Sequence, residues 1–188
     1  TLSSVKEIGE DAFIISGLEK VSLENVEKIG NYAFSGCKNL KEAKLFSVKE
    51  IGGYAFNCSG LEKVNLKNVK KIGESAFVGN NLKEIVLPPS IKEIGNFAFG
   101  HSDLEKINLE NVEIIGDYAF SGCKNLKEVE LSSVKEIGKK AFESSGLEKI
   151  SLENVEKIGD QAFGECKNLK EATLSSVKEI EERAFITS

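Results

Sequence analysis

The chain has 188 residues, 40% of them hydrophobic, with 25 Lys+Arg against 30 Asp+Glu and a net charge of −5 at pH 7. The signs are finely mixed, so no basic stripe is available to follow a phosphate backbone, and no apolar run nears the roughly 20 residues of a membrane span. Neither nucleic acid nor membrane insertion is expected.

The predicted elements repeat from one end of the chain to the other. Nine Ala-Phe dipeptides, at Ala12, Ala33, Ala55, Ala76, Ala98, Ala119, Ala141, Ala162 and Ala184, recur at spacings that alternate between 21 and 22 residues. A fixed period in this range means one supersecondary unit stacked on copies of itself, and strict alternation makes the true unit a pair of unlike coils, 43 residues long. The chain is read as one solenoid over residues 1–188, of about nine coils. It starts in mid-repeat at Thr1 and reads as part of a longer protein.

Within a coil the order is constant. Leu18–Leu23 ends in apolar and polar alternation, with Val21 and Leu23 inward and Lys20, Ser22 and Glu24 outward, which predicts a short half-buried strand. Val26 and Ile29 turn inward again from a second short extended or turning segment. Gly30 either adopts a conformation costly for other residues or lets neighbouring backbones approach. Ala33 and Phe34 fill the far side of the coil on a predicted short 3₁₀ turn, and a polar bend leads to the next Leu. Stacked at the ~4.8 Å spacing of a parallel sheet, the coils form a narrow core. Its spine is a phenylalanine column of Phe13, Phe34, Phe56, Phe77, Phe99, Phe120, Phe142, Phe163 and Phe185.

The charged columns explain the double-length unit. One runs Lys20, Glu42, Lys63, Glu84, Lys106, Glu128, Lys149, Glu171, and the position before it carries the opposite sign in every coil, from Glu19 and Lys41 to Lys170. A parallel stack sets equivalent positions side by side, so identical single repeats would stack like charges. Alternation makes ladders of opposite neighbours and penalises a one-coil slip. Asn25, Asn68, Asn111 and Asn154 alternate with Ser4, Ser47, Ser90, Ser133 and Ser176 at a corner whose backbone either side chain can bond.

The pattern Leu-x-x-Ile/Val-x-Leu, then Val-x-x-Ile-Gly-x-x-Ala-Phe, then a bend with Cys, resembles the BspA-like class of leucine-rich repeats. Leu82-Lys-Glu-Ile-Val-Leu-Pro-Pro-Ser-Ile-Lys-Glu-Ile-Gly-Asn-Phe-Ala-Phe99 carries the fullest form of it. Most coils lack the proline and are a residue shorter there. The resemblance covers nearly the whole chain. It implies an α/β-type, strand-dominated repeat solenoid: a right-handed superhelix with one parallel sheet, and short second strands and 3₁₀ turns opposite. It also implies a cell-surface or secreted protein that binds other proteins or adheres to host matrix, with its bend cysteines in the core.

Chemistry-bearing residues are sparse. His101 is the one histidine, placed in a bend and read as solvated surface. Carboxylates sit beside lysines that keep them ionised, no phosphate loop or metal-ligand spacing occurs, and neither enzyme activity nor a cofactor is expected. Cys37, Cys123 and Cys166 share a bend column, whereas Cys58 lies one position earlier in its own. Cys37 and Cys58 are on adjacent coils within reach of a disulfide; Cys123 and Cys166, two coils apart, are not. Asn57-Cys58-Ser59 is a formal glycosylation sequon.

Three outward positions break the polar sheet face. Phe46 stands where other coils carry Glu, Lys or Ser, and Val86 and Pro88 follow two coils on; together they are the candidate partner-binding residues. Tyr32, Tyr54, Phe97 and Tyr118 form a stripe expected to stack, and Ile114 replaces a charged ladder residue. The leading reading is an adhesion or protein-binding module working through the sheet face. The competing one is a spacer, or a protomer stacking head to tail through ends, near Leu2 and Phe185-Ile186, that lack a plain polar cap. Repeats this alike also fit a designed or consensus-like array.

Overall fold

The computed structural model describes residues 4–188; Leu2, at the open N-terminal end, lies outside them. The chain forms a strand-dominated parallel β-solenoid of about eight turns, with no helix among the described residues. Two ladders of short strands run along it, not one. The Leu-side ladder uses Lys20–Leu23, Glu42–Leu45, Lys63–Asn65, Glu84–Ile85, Lys106–Ile107, Lys149–Ser151 and Glu171–Thr173. The Ile-side ladder is built of two-residue strands, from Glu7–Ile8 and Lys28–Ile29 to Glu179–Ile180, each with an exposed or half-buried charge or Ile114 followed by an Ile that is buried in every strand but the last, where Ile180 is exposed.

All registers are parallel and match equivalent positions. Lys20 to Leu23 pair with Glu42 to Leu45 in order, and Ile29 sits between Ile8 and Ile51. Between the ladders the core is a set of columns. Leu23, Val26, Ile29, Ala33 and Phe34 are fully buried, and their counterparts repeat this in the inner coils. The phenylalanines from Phe13 to Phe185 stack face to face, ring centroids 5.1 to 5.7 Å apart, along the whole solenoid.

The back of each coil departs from the expected 3₁₀ turn. Every coil carries two left-handed residues, one just before Ala-Phe and one four positions later; Tyr32 (φ 55°) and Gly36 (φ 68°) are one such pair. They break the right-handed run that a 3₁₀ helix requires. The amides of Tyr32, Phe34 and Gly36 donate to the carbonyls of Gly53, Ala55 and Asn57 in the next coil, at 2.7 to 2.9 Å. Those of Ala33, Ser35 and Cys37 donate back three residues within their own coil. Alternate amides thus close local turns and join coils, leaving the back as well bonded as a sheet.

Gly30 answers the question its position raised. Its φ is not positive, and a Cβ there would lie 2.7 Å from the Glu10 nitrogen, so the glycine admits close backbone approach. Equivalent glycines are equally tight, at 2.5 Å for Gly73, 2.7 Å for Gly116 and 2.6 Å for Gly138. Gly9, on the first described coil, has nothing within 4 Å, and among the glycines stacked on a preceding described coil Gly95 is the exception, its nearest neighbour at 3.7 Å. At that joint, between the coils of Leu61 and Leu82, both ladders part: neither Lys63–Asn65 and Glu84–Ile85 nor Lys71–Ile72 and Glu93–Ile94 are paired. Pro88 and Pro89, with one extra residue, lengthen this corner and bring no N–H of their own. The back stays closed, because Ser75, Phe77 and Gly79 still donate to Asn96, Ala98 and Gly100 at 2.9 Å.

The candidate partner-binding face

The outward residues of the Leu-side ladder form the face on which the sequence places its candidate site. The charge column registers as the repeat dictates: Lys20 against Glu42, Glu42 against Lys63, Glu84 against Lys106, and Lys149 against Glu171. Lys149 reaches Glu128 at 3.1 Å, and in the adjoining column Lys41–Glu62, Lys83–Glu105 and Lys127–Glu148 close at 2.8 to 3.0 Å. Hydrogen bonds from Lys41 and Lys127, reinforced by their charge, hold the Glu62 and Glu148 carboxyls below the usual carboxylate range. All these side chains face solvent, where water and salt screen them, so each pair adds little stability by itself and their main effect is on register.

The second ladder carries the same device, with Lys28–Glu7 at 2.8 Å and Lys49–Glu27 and Lys178–Glu156 at 2.6 Å. Corner side chains bond the preceding coil: Ser47 donates to the Glu24 carbonyl, Asn68 to Phe46 and Asn154 to Ser132 at 2.6 to 2.9 Å. The bends hold a further column that sequence reading grasped only in part. Ser16 contacts Cys37, Ser59 donates to Asn80 at 2.7 Å, Ser102 contacts Cys123 and Ser145 contacts Cys166. Each of these cysteines donates to a phenylalanine carbonyl of the previous coil, and Asn80 takes that role through its amide.

All four cysteines are free. Cys37 points inward to the Phe13 carbonyl, while Cys58 occupies a left-handed outward position, so the two thiols do not meet. Burial pushes the Cys123 thiol up to about 11, which leaves it protonated and inert near neutral pH. Ser59 of the sequon is buried, its hydroxyl spent on Asn80. His101 is exposed, its ring lying over Gly122. Among the described residues no three His, Cys, Asp or Glu side chains converge as metal ligands would.

The three face residues separate. Phe46 is 47% exposed and Val86 69% exposed, but Pro88 is buried beneath the lengthened corner. Val86 and Pro88 border the open joint, a groove of about 1070 Å³ lined also by Val64, Leu66 and Pro89, by Lys63, Lys67 and Lys83, and by Glu62 and Glu84. Phe46 lies outside that lining. A second groove, of about 1090 Å³, covers the other interruption of the Leu-side ladder, where the coil of Leu126 contributes no strand. Its walls are acidic, with Glu105, Glu110, Glu128, Glu130 and Glu148. The aromatic stripe stacks in two pairs, Tyr32 on Tyr54 at 4.9 Å and Phe97 on Tyr118 at 4.5 Å, with Ser75 between them. Ile114 is 40% exposed, in register between Glu93 and Glu136.

Comparison with known proteins agrees with this geometry. A search of curated proteins finds no match. Among solved structures, the fold resembles a leucine-rich repeat protein from Bacteroides ovatus (TM-score 0.62, 25% identity, 97% of this chain and 68% of that one). It also resembles a leucine rich cell surface protein from Faecalibacterium prausnitzii (TM-score 0.61, 27% identity), covering 92% of this chain but 43% of that longer one. The pneumococcal vaccine antigen PcpA shares the fold (TM-score 0.54, 24% identity, 95% and 60% covered). The model of the BspA type leucine rich repeat region matches in six copies over residues 6–113 and 92–188, and the chain belongs to that family.

Proposed function

We propose that the chain is a non-catalytic protein-binding or adhesion module of a cell-surface or secreted protein, engaging its partner through the outward residues of the Leu-side ladder. One observation carries this reading: the core columns repeat with little change, whereas outward positions vary and include exposed Phe46 and Val86. A spacer needs only the core. Exposed large apolar side chains on a polar, well-paired sheet face are what a binding hot spot uses. The F. prausnitzii protein is described as a cell surface protein, which supports display of this chain as well.

The test is saturable binding to immobilised host-matrix proteins by surface plasmon resonance. The native chain is expected to bind at least one of them, and Phe46→Glu to weaken that binding by about 1–3 kcal/mol with an unchanged melting curve. Binding to every matrix protein that Phe46→Glu leaves unaltered would remove Phe46 from the site. No saturable binding at all would contradict the adhesion reading.

A further inference from the structure

The open joint coincides with the largest departure from the repeat in surface charge. Lys67 stands where the other three 43-residue units carry Glu24, Glu110 and Glu153, and Lys70 where they carry Glu27, Glu113 and Glu156. Lys63, Lys67, Lys70 and Lys71 therefore form an exposed row on a single coil, of which Lys63 and Lys67 line the groove while Lys70 and Lys71 lie beyond it toward the Ile-side ladder. On the coils either side, Lys41, Lys49, Lys83 and Lys92 are each matched by a glutamate within 4 Å: Glu62, Glu27, Glu105 and Glu113. None of the four lysines in the row forms an ion pair among the described residues.

The same coil offers backbone. Lys63–Asn65 pairs with Glu42–Leu45 on one side and with no strand on the other. The following coil is tied instead to the coil beyond it, where the Asn108 side chain accepts from the Leu87 amide at 2.6 Å and donates to the Leu87 carbonyl. The groove so opened has apolar walls from Val64 and Val86, with exposed Pro89 at one end.

We propose that this joint is the docking site for an acidic, extended segment of a partner protein. The segment lies along the half-paired Lys63–Asn65 strand, its carboxylates toward Lys63 and Lys67, with Lys70 adding to the positive field beyond the groove, and its alternate side chains on Val64 and Val86. An unpaired strand edge takes an extended chain through main-chain hydrogen bonds and alternate side-chain pockets. A row of like charge selects an opposite partner and rejects a basic one. The apolar walls favour a polypeptide over a purely ionic polyanion. This rests on the protein-binding reading above and adds the chemistry of the ligand.

The experiment selects a displayed library of peptides about 12 residues long, enough to cross the groove at ~3.3 Å per residue, on the native chain. Winners are then measured by fluorescence anisotropy at low and high salt. The expected winners are rich in Asp and Glu with apolar residues interspersed, and bind more weakly as salt rises. They are expected to bind the Lys67→Glu/Lys70→Glu variant roughly tenfold more weakly or worse, and the Val86→Ser variant more weakly than native with the same salt slope. The double variant carries the residues of the other three units and is expected to keep its native melting curve.

Winners without acidic excess would overturn the proposal. So would acidic winners indifferent to Lys67→Glu/Lys70→Glu, a sulfated oligosaccharide that competes as well as the peptides, or a native dimer that the double variant splits. Peptides that bind the double variant as tightly as the native chain would remove this surface and leave the protein-binding module standing.

Discussion

At the two left-handed positions of every coil the backbone holds fifteen non-glycine residues, Tyr32, Tyr54, Cys58 and Ser144 among them, against the three glycines Gly36, Gly79 and Gly122. Such a conformation costs a non-glycine residue about 1–2 kcal/mol, offset here by amides that donate across coils and, at the first position, by stacked rings such as Tyr32 on Tyr54. Ser144 shares its column with the three glycines and has no ring to offset the strain. Ser144→Gly is therefore expected to stabilise the chain by about 0.5–1 kcal/mol once the lost chain entropy is subtracted, measured as a raised thermal midpoint. A lowered midpoint would show that the Ser144 side chain contributes more than its backbone costs. These positions were not legible in the sequence, because Asp, Tyr, Ser, Lys, Gln and Arg occupy one left-handed column and share no glycine-like signature.

The elements divide by how plainly the sequence announces them. The phenylalanine column, the inward Ile-Gly pairs and the Lys/Glu registers were legible because each rests on side-chain identity at a fixed period. The second ladder was anticipated only as short strands or turns: two-residue strands such as Lys28–Ile29 are too brief for a period-two pattern, and only stacking reveals that they pair. The open joint was hidden for a related reason. Pro88 and Pro89 mark an extra corner residue, but the parting of both ladders shows only in the folded chain, in the unpaired strands and the looser fit at Gly95. Pro88 looked like an outward candidate on the alternation, yet the lengthened corner buries it. Phe99, stacked between Phe77 and Phe120 at 5.6 and 5.7 Å, closes the back of that joint. Phe99→Ala is expected to cost about 3–5 kcal/mol, and to split the melting curve into N-terminal and C-terminal halves, since with both ladders parted only the back, the core and the Ser90 hydroxyl's bond to the Val69 carbonyl hold the coils together there. A single transition with a small shift would mean that the joint is tighter than its broken ladders imply.

On the scale of the whole molecule, stability is a sum of coil-to-coil interfaces, and the 43-residue rhythm decides which neighbours are allowed. The same rhythm makes exceptions readable, since Phe46, Lys67, Lys70 and Val86 stand out against core and charge columns that differ so little from copy to copy. The most direct test of the account compares two deletions by thermal melting at low and high salt. Removing residues 104–146, one whole 43-residue unit, restores Lys-on-Glu neighbours at the new joint, whereas removing 104–125, a single coil, sets Lys83 on Lys127 and Glu84 on Glu128. The account predicts that the whole-unit deletion melts cooperatively near the native midpoint. It predicts that the single-coil deletion melts clearly lower, by a difference that salt narrows. Equal midpoints for the two deletions at low salt would contradict it.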